Sequence, residues 1–197
     1  MTTHTRKERE RAERRQRIID TARELAEAQG WEAVTVRRLA ERIERSQPVL
    51  YSHFAGKSAI VSAVAEQGFA ELTEVLRRAR PEDSDDAGRL RAVSRAYLEF
   101  AAVNPALYDA MLLMNTDLTF GPEAPLPLRE AFDDLEALFR PVVGDPDLGA
   151  RIEVAWSALH GLATLERGGR LRPGLRSQRC ELLVAEWLAA ITVERAR

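Results

Sequence analysis

The amino-acid sequence predicts an all-α protein with about nine helices, and three observations support this fold class. Apolar residues recur at helical spacing along the chain, and the alternation of apolar and polar residues typical of β-strands is absent. Prolines and glycines stand between the periodic segments, where helices end. The chain has 197 residues, which is enough for a small helical domain followed by a larger one.

The first helix is predicted over Arg14 to Gln29. Ile18, Ala22 and Leu25 fall at i, i+4 and i+7, so they share one face that can be buried. Gly30 follows as a stop signal, because glycine readily adopts the left-handed conformation that ends a helix.

Two short helices are predicted next. Thr35 stands directly before residues 36–43 and can cap a helix there. Ser46 can cap a third helix of about two turns, in which Pro48 is tolerated because it lies in the first turn. Gly56 breaks the chain after this helix.

The rest of the chain is predicted as one long helix and five further ones. The long helix starts at Lys57 and reaches about Arg80, and the segment from Pro81 to Gly88 is the best candidate linker. The segment from Asp117 to Pro127 is expected to be an irregular loop. The further helices are predicted near residues 88–103, 105–115, 126–140, 147–168 and 175–195.

Three helices within the first 54 residues, with a short turn between the second and third, match the helix-turn-helix pattern. A first set of residues can form its core, and a second set is left to face outward. The core set is Ile18, Ala22, Leu25, Leu39, Ala40, Ile43, Leu50 and Phe54. The outward set is Gln47, Pro48, Val49, Ser52 and His53. The third helix of such a motif reads base edges in the major groove of DNA.

The charge distribution agrees with a polyanion at the N-terminal end. Residues 1–60 carry 13 Lys and Arg against 9 Asp and Glu, whereas the whole chain carries 29 against 31. A basic end on an acidic body favours contact with a polyanion through that end. The alternative is an ordinary solvated surface.

The stretch V-T-V-R-R-L-A-E-R-I-E-R-S-Q-P-V-L-Y-S-H-F-A-G-K, Val34 to Lys57, resembles the DNA-binding signature of the TetR family of regulators, above all in its L-Y-x-H-F-x-x-K ending. The resemblance implies a helix-turn-helix domain over residues 1–56 and a helical domain for ligand binding and dimerisation over residues 57–197. It also implies a dimeric repressor that binds a palindromic operator and is released by a small, largely apolar effector.

The resemblance also implies which side chains contact DNA. Thr35, Tyr51, His53 and Lys57 would bind the backbone, while Gln47, Val49 and Ser52 would face bases. Arg45 and Ser46, in the turn, complete the predicted set. Each has a structural alternative: Tyr51 and Phe54 as core aromatics, His53 as a cover for the helix end, Lys57 as an ordinary helix start.

Two features leave questions open. Glu44 stands where the family usually has glycine, and Arg45 where it usually has a small apolar residue, so the geometry of the turn is open. The basic arm of residues 1–13, which extends into the R-K-E-R-E-R-A-E-R-R-Q-R run, either follows DNA phosphates or enters a minor groove, or it is a frayed, solvated helix.

In the second domain, Ala155 to Leu162 and Tyr97 to Met111 resemble a TetR subgroup with a Trp-x-x-x-His-Gly signature. Trp156 and His160 share a helix face. Mostly apolar walls with few polar groups suit a small-molecule pocket, and a packed core is the alternative. The predicted pocket residues are Tyr97, Phe100, Tyr108, Met111, Trp156 and His160.

The last helix carries an apolar stripe of Cys180, Leu183, Val184, Trp187, Leu188 and Ile191. The stripe favours a homodimer through the last two helices, where the family dimerises, and burial within one subunit is the alternative.

An enzyme and a nucleoid-type architectural protein are the rival classes. The sequence has no P-loop, G-x-G-x-x-G, H-E-x-x-H, C-x-x-C or G-x-S-x-G motif, and its three histidines are scattered. About 140 residues after the motif argue against a purely architectural role. We therefore expect no catalysis, cofactor or metal. Without an apolar segment of membrane-spanning length or a signal peptide, we also expect no membrane partner and a cytoplasmic location.

Overall fold

The computed structural model describes residues 3–143 and 147–195, with side chains described over 6–142 and 147–189. Within these ranges the chain forms nine α-helices and no strand, which confirms the predicted fold class. The helices are α1 (Thr3–Gln29), α2 (Val36–Arg42), α3 (Gln47–Tyr51), α4 (Lys57–Arg78), α5 (Asp86–Val103), α6 (Pro105–Leu112), α7 (Leu126–Val143), α8 (Leu148–Arg167) and α9 (Arg176–Arg195). Short 3₁₀ turns precede α2 and α9.

Two helices extend beyond their predicted bounds. Helix α1 begins at Thr3 rather than Arg14, because the arm is rich in Arg, Glu and Ala, which favour helix, and Arg6 pairs with Glu10 one turn later at 2.9 Å. Helix α7 continues through Pro141, where the sequence predicted a stop. Pro141 lies in the last turn, so little helix remains beyond the hydrogen bond that a proline removes.

The chain packs as two compact units. Unit 1 comprises residues 1–69 and 104–125, and unit 2 comprises residues 70–103 and 126–197. Helix α4 therefore begins in unit 1 and ends in unit 2, and α6 belongs with the helix-turn-helix. The predicted domains, 1–56 and 57–197, stay a prediction about function, since these units divide the chain by packing alone.

The core of unit 1 consists of the apolar side chains that the sequence predicts. All eight predicted core residues are buried, from Ile18, Ala22 and Leu25 in α1 to Leu50 and Phe54 around α3. Burying a side chain of this size stabilises the fold by about 1.5–3 kcal/mol.

Unit 2 is a helical bundle centred on α5, which packs against α7, α8 and α9. Its core includes Leu90, Val93, Ile152, Leu159 and Val184, all nearly inaccessible to solvent. Across both described ranges, no helix has the length and apolar character that crossing a bilayer requires.

Candidate nucleic-acid interface and ligand cleft

Local capping positions α2 and α3. The Thr35 side chain accepts a hydrogen bond from the backbone N–H of Arg38 at 3.2 Å, which confirms the predicted cap. Ser46 occupies the N-cap position of α3, as predicted, but its hydroxyl makes no capping bond there; its carbonyl accepts from the Val49 N–H. Helix α3 has five residues, shorter than the two turns expected.

The turn between α2 and α3 keeps its geometry although glycine is missing. Glu44 adopts φ 55°, the left-handed conformation that favours glycine. The backbone N–H of Arg45 then bonds the Ala40 carbonyl at 2.9 Å, and the Arg45 guanidinium donates to the Glu44 carbonyl. The family geometry is thus reached with a glutamate in a conformation that costs about 1–2 kcal/mol.

Helix α3 presents a polar, exposed surface. Arg45, Ser46, Gln47 and Ser52 are exposed and Val49 is half-buried. Tyr51 is 55% exposed, so it is not a core aromatic. Phe54, in contrast, is 5% exposed and belongs to the core. The structure therefore brings the predicted base-facing residues together on one accessible helix.

Arginines from the arm surround the end of this helix. Arg11 donates to the Ser52 carbonyl at 3.4 Å, and the Arg15 guanidinium lies 4.9 Å from the centre of the Phe54 ring. Burial lowers the pKa of His53, and the charges of Arg11, Arg14 and Arg15 lower it further. His53 Nδ1 is buried and has no hydrogen-bond partner among the described residues.

This cluster, His53 with Arg11, Arg14 and Arg15, shows how the arm relates to the motif. The arm is helical and lies against the end of α3. Three guanidinium groups near one imidazole produce a positive potential that attracts an anion such as phosphate. Sequence reasoning treated the arm as separate from α3, because contacts across about 40 residues leave no local pattern.

Lys57 is oriented differently from the prediction of a free phosphate ligand. Its ammonium donates to the Trp31 carbonyl, and the side chain is half-buried. An ammonium has three donors, so this bond leaves capacity for a phosphate.

Helix α6 is bonded to α1. The Glu27 carboxylate accepts from the backbone N–H groups of Ala106 and Leu107, at 3.2 and 3.0 Å, at the start of α6. The Trp31 indole donates to the Ala106 carbonyl at 2.8 Å. The first turn of α6 is therefore held by the same unit that carries α3.

The six predicted pocket residues do not all lie in one unit. Tyr108 and Met111 are in unit 1, where Met111 packs against α4 at Gly68: a Cβ there would lie 2.6 Å from the Met111 sulfur. Both are almost completely buried.

The other four predicted residues are in unit 2. Tyr97 and Phe100 are buried, and the half-buried Trp156 donates from its indole to the Tyr97 hydroxyl at 3.1 Å. His160 lies beside Trp156, with ring centres 6.4 Å apart, and burial lowers the pKa of His160, with a smaller effect from Arg167. These contacts favour the packed-core alternative, and the ligand role stays a prediction.

Unit 2 contains a cleft that sequence reasoning missed. The cleft, of about 530 Å³, lies between the end of α5, the end of α8 and the segment that leads into α9. It is lined by Leu98, Ala101, Ala102, Ala163, Glu166, Arg167, Gly169, Leu171, Pro173 and Arg176, none of which was in the predicted set. One signal was available: residues 167–179 contain five arginines and no acidic residue, within the acidic part of the chain.

The apolar stripe on α9 is largely a core feature. Cys180 and Val184 are buried, burial raises the pKa of the Cys180 thiol, and Trp187 packs against Phe139 with ring centres 5.6 Å apart. Leu183 and Leu188 are half-buried, and the Ile191 side chain lies outside the described residues. For Cys180 and Val184, burial within one subunit is therefore the correct alternative.

Comparisons with known proteins agree with the motif and the fold. Residues 18–64 match the model of bacterial regulatory proteins of the tetR family, and residues 90–190 match the tetracyclin repressor-like C-terminal domain. Neither match tests the Trp-x-x-x-His-Gly subgroup.

Individual relatives agree as well. An uncharacterised HTH-type transcriptional regulator, YobS of Bacillus subtilis, is 32% identical over 96 residues, covering 49% of this chain and 50% of that protein. The class C tetracycline repressor protein of Escherichia coli is 46% identical over 72 residues, covering 36% of this chain and 32% of that protein. The chain thus spans half or less of the length of these curated relatives.

A TetR variant from Acinetobacter baumannii AYE, crystallised in complex with minocycline, has a similar structure. The TM-score is 0.66, with 21% identity over 91% of this chain and 96% of that one. At this identity the likeness concerns the fold.

Proposed function

The chain belongs to the TetR family of transcriptional regulators, and from this premise we propose that it is a repressor that binds a palindromic operator as a homodimer. A small, largely apolar effector would release it from DNA. A DNA partner also places the protein in the cytoplasm, with the chromosome.

The observation that carries the proposal is the accessible face of α3 above a capped and buried helix-turn-helix. Gln47 and Ser52 are exposed on it, and Val49 is half-buried. A glutamine side chain can bond adenine bidentately, and a valine can contact a thymine methyl group. Tyr51 and the His53 cluster stand beside this face, where a phosphate would meet positive potential.

A second surface supports a dimer. On α8, Val154 is 68% exposed and Leu165 is 41% exposed, and their spacing of eleven residues puts them on one helix face. On α9, Leu182 is 56% exposed and shares a face with the exposed Ala189. We propose that this face of the last two helices forms the dimer interface, rather than the buried side of α9.

Effector release requires coupling between the two units. Three chain connections join them: within α4, between α5 and α6, and before α7. An effector weakens DNA binding only if it favours a dimer whose α3 helices no longer match two half-sites. A tenfold loss of DNA affinity requires about 1.4 kcal/mol of coupling, and DNA must weaken effector binding by the same factor.

Selection of bound duplexes from a random library tests the proposal. We expect a palindromic consensus, since a two-fold dimer presents two equivalent α3 helices. Gln47→Ala should change the base preference, and Tyr51→Ala should weaken binding to all sequences. Gln178→Ala, an exposed glutamine of α9, is the matched control and should change neither. A library that shows no sequence preference would refute the proposed function.

The dimer face is tested by a matched pair of substitutions. Val154→Glu should convert the dimer into monomers, because a carboxylate buried in an apolar interface without a partner is strongly unfavourable. Val103→Glu, at a 63% exposed position ending α5, should leave the dimer intact. Light scattering with known protein concentration measures both. An unchanged dimer in Val154→Glu would place the interface elsewhere.

A further inference from the structure

We infer that the cleft between α5, α8 and the start of α9 binds a small monocarboxylate with an apolar body. The inference rests on the proposed function in one respect, namely that the chain responds to a small molecule. It concerns a different site from the aromatic cluster, since none of those six side chains lines the cleft.

The charged end of the cleft is an ion-pair network with one donor left over. Glu166, whose side chain is only 17% exposed, pairs with Arg179 and with Arg176 Nε, the latter at 3.2 Å. Arg176 Nη1 donates to Glu99 at 3.1 Å. Arg176 Nη2 is buried and has no hydrogen-bond partner among the described residues.

A buried, unsatisfied donor on a charged group is unfavourable, and an oxyanion in the cleft would satisfy it. Arg176 lines the cleft and already bonds two carboxylates, so its planar guanidinium is positioned for this chemistry. Guanidinium groups bind carboxylates through charge-assisted hydrogen bonds, which are among the strongest in proteins.

The charge balance favours a ligand with one negative charge. The charged residues that line the cleft are Arg167, Arg176 and Glu166, which leaves one positive charge in excess. Arg179 and Glu99, which complete the network, cancel each other. A monocarboxylate neutralises this excess, whereas a doubly charged phosphate exceeds it and an alcohol leaves it in place.

The remaining wall is apolar and made of small side chains. Leu98, Ala101 and Ala102 come from α5, Ala163 from α8, and Leu171 and Pro173 from the connecting segment. Alanines leave room for a ligand body, and about 530 Å³ is within the size range of small-molecule sites. The combination of this wall with Arg176 recognises an amphiphile: an alkyl or aryl body with a carboxylate head.

The cleft lies close in the chain to the start of α6. Ala102 lines it, and α6 begins three residues later at Pro105, with its first turn bonded to α1 by Glu27. A ligand that moves the end of α5 therefore acts on a segment tied directly to the helix-turn-helix.

Calorimetric titration of the full-length protein with sodium decanoate, and separately with 1-decanol, tests the inference. Decanoate should bind at least about tenfold more tightly than decanol, a difference of about 1.4 kcal/mol. Arg176→Gln should remove this preference, because it removes the charge and keeps a side chain of similar polarity. Arg129→Gln, at an exposed arginine of α7, is the matched control and should bind decanoate as the wild type does.

A second variant keeps the inference testable if Arg176→Gln does not fold. Ala102→Phe keeps every charge but fills the apolar part of the cleft from an exposed position, so it should weaken both ligands at least tenfold. Equal binding of decanoate and decanol, no binding of decanoate, or decanoate binding that neither variant changes would each overturn the inference.

The same preparations, assayed on the selected duplex, separate this inference from the proposed function. Sequence-specific DNA binding without any carboxylate binding would overturn the cleft assignment and leave the proposed repressor intact. Carboxylate binding without sequence preference would overturn the repressor and leave the cleft assignment intact.

Discussion

The helix-turn-helix of unit 1 and the bundle of unit 2 carry their candidate sites in opposite ways. In unit 1 the sequence predicts a polar surface, and the structure exposes most of it, with Gln47 and Tyr51 on the outside of α3. In unit 2 the sequence predicts a pocket lined by aromatic residues, yet Tyr97 and Phe100 are buried and hydrogen bonding joins Trp156 to Tyr97. The cleft that does open is lined by alanines and arginines. A motif of contiguous residues is therefore a better guide to a surface than a set of aromatics collected from distant helices.

The largest effect is expected from two tyrosines, one in each predicted site. Tyr108→Ala should lower the free energy of unfolding by about 3–5 kcal/mol, because the side chain is fully buried and its removal leaves a cavity. Tyr51→Ala, at a 55% exposed position, should change stability by less than about 0.5 kcal/mol and weaken DNA binding instead. Denaturant unfolding and a DNA-binding titration measure the two effects. A loss below about 1 kcal/mol for Tyr108→Ala would return this residue to the ligand pocket.

Two histidines provide the next comparison, through pH. Burial lowers the pKa of both His53 and His160 below 6.5, so each contributes stability that is present above pH 6.5 and is lost as the pH falls through the folded-state value. A DNA phosphate beside His53 would raise the pKa of His53 again. DNA binding would then take up a proton, and DNA affinity should rise as the pH falls from 7.5 to 6, by at most about tenfold per pH unit.

Glutamine at each position separates the two roles. His53→Gln should abolish the pH dependence of DNA affinity, whereas His160→Gln should keep it and make only stability less sensitive to acid. Fluorescence titrations on the selected duplex across this pH range measure the affinity. An unchanged pH dependence in His53→Gln would show that the imidazole does not meet a phosphate.

The smallest effect concerns two non-glycine residues in the left-handed conformation, Glu44 in unit 1 and Asp147 in unit 2, at φ 55° and 59°. Glu44→Gly should stabilise the protein by about 0.5–1 kcal/mol, since relief of the strain exceeds the entropy that glycine adds to the unfolded chain. Asp147→Gly should gain less, because aspartate tolerates this conformation better and its side chain makes no capping bond that could be lost. Thermal unfolding measures both changes. A destabilised Glu44→Gly would mean that the glutamate side chain stabilises the turn.

The sequence alone determined the features of this protein that depend on neighbouring residues. Helical periodicity predicts the nine described helices, and Thr35 before an apolar repeat predicts the cap that the structure shows. The eight core positions of the helix-turn-helix follow from the same spacing. These features are set within one or two turns of helix, where capping and side-chain periodicity act.

Only the tertiary structure decided what depends on distant parts of the chain. It placed Arg11 and Arg15 against the end of α3, bonded Lys57 to Trp31, and buried the Cys180 side of α9 while leaving Leu182 exposed. It also joined Glu99, Glu166 and Arg176 at one cleft, although they are up to 77 residues apart. The physical reason is that periodicity says which side of a helix is apolar, but the packing of several helices decides which apolar surface is covered and where a gap remains.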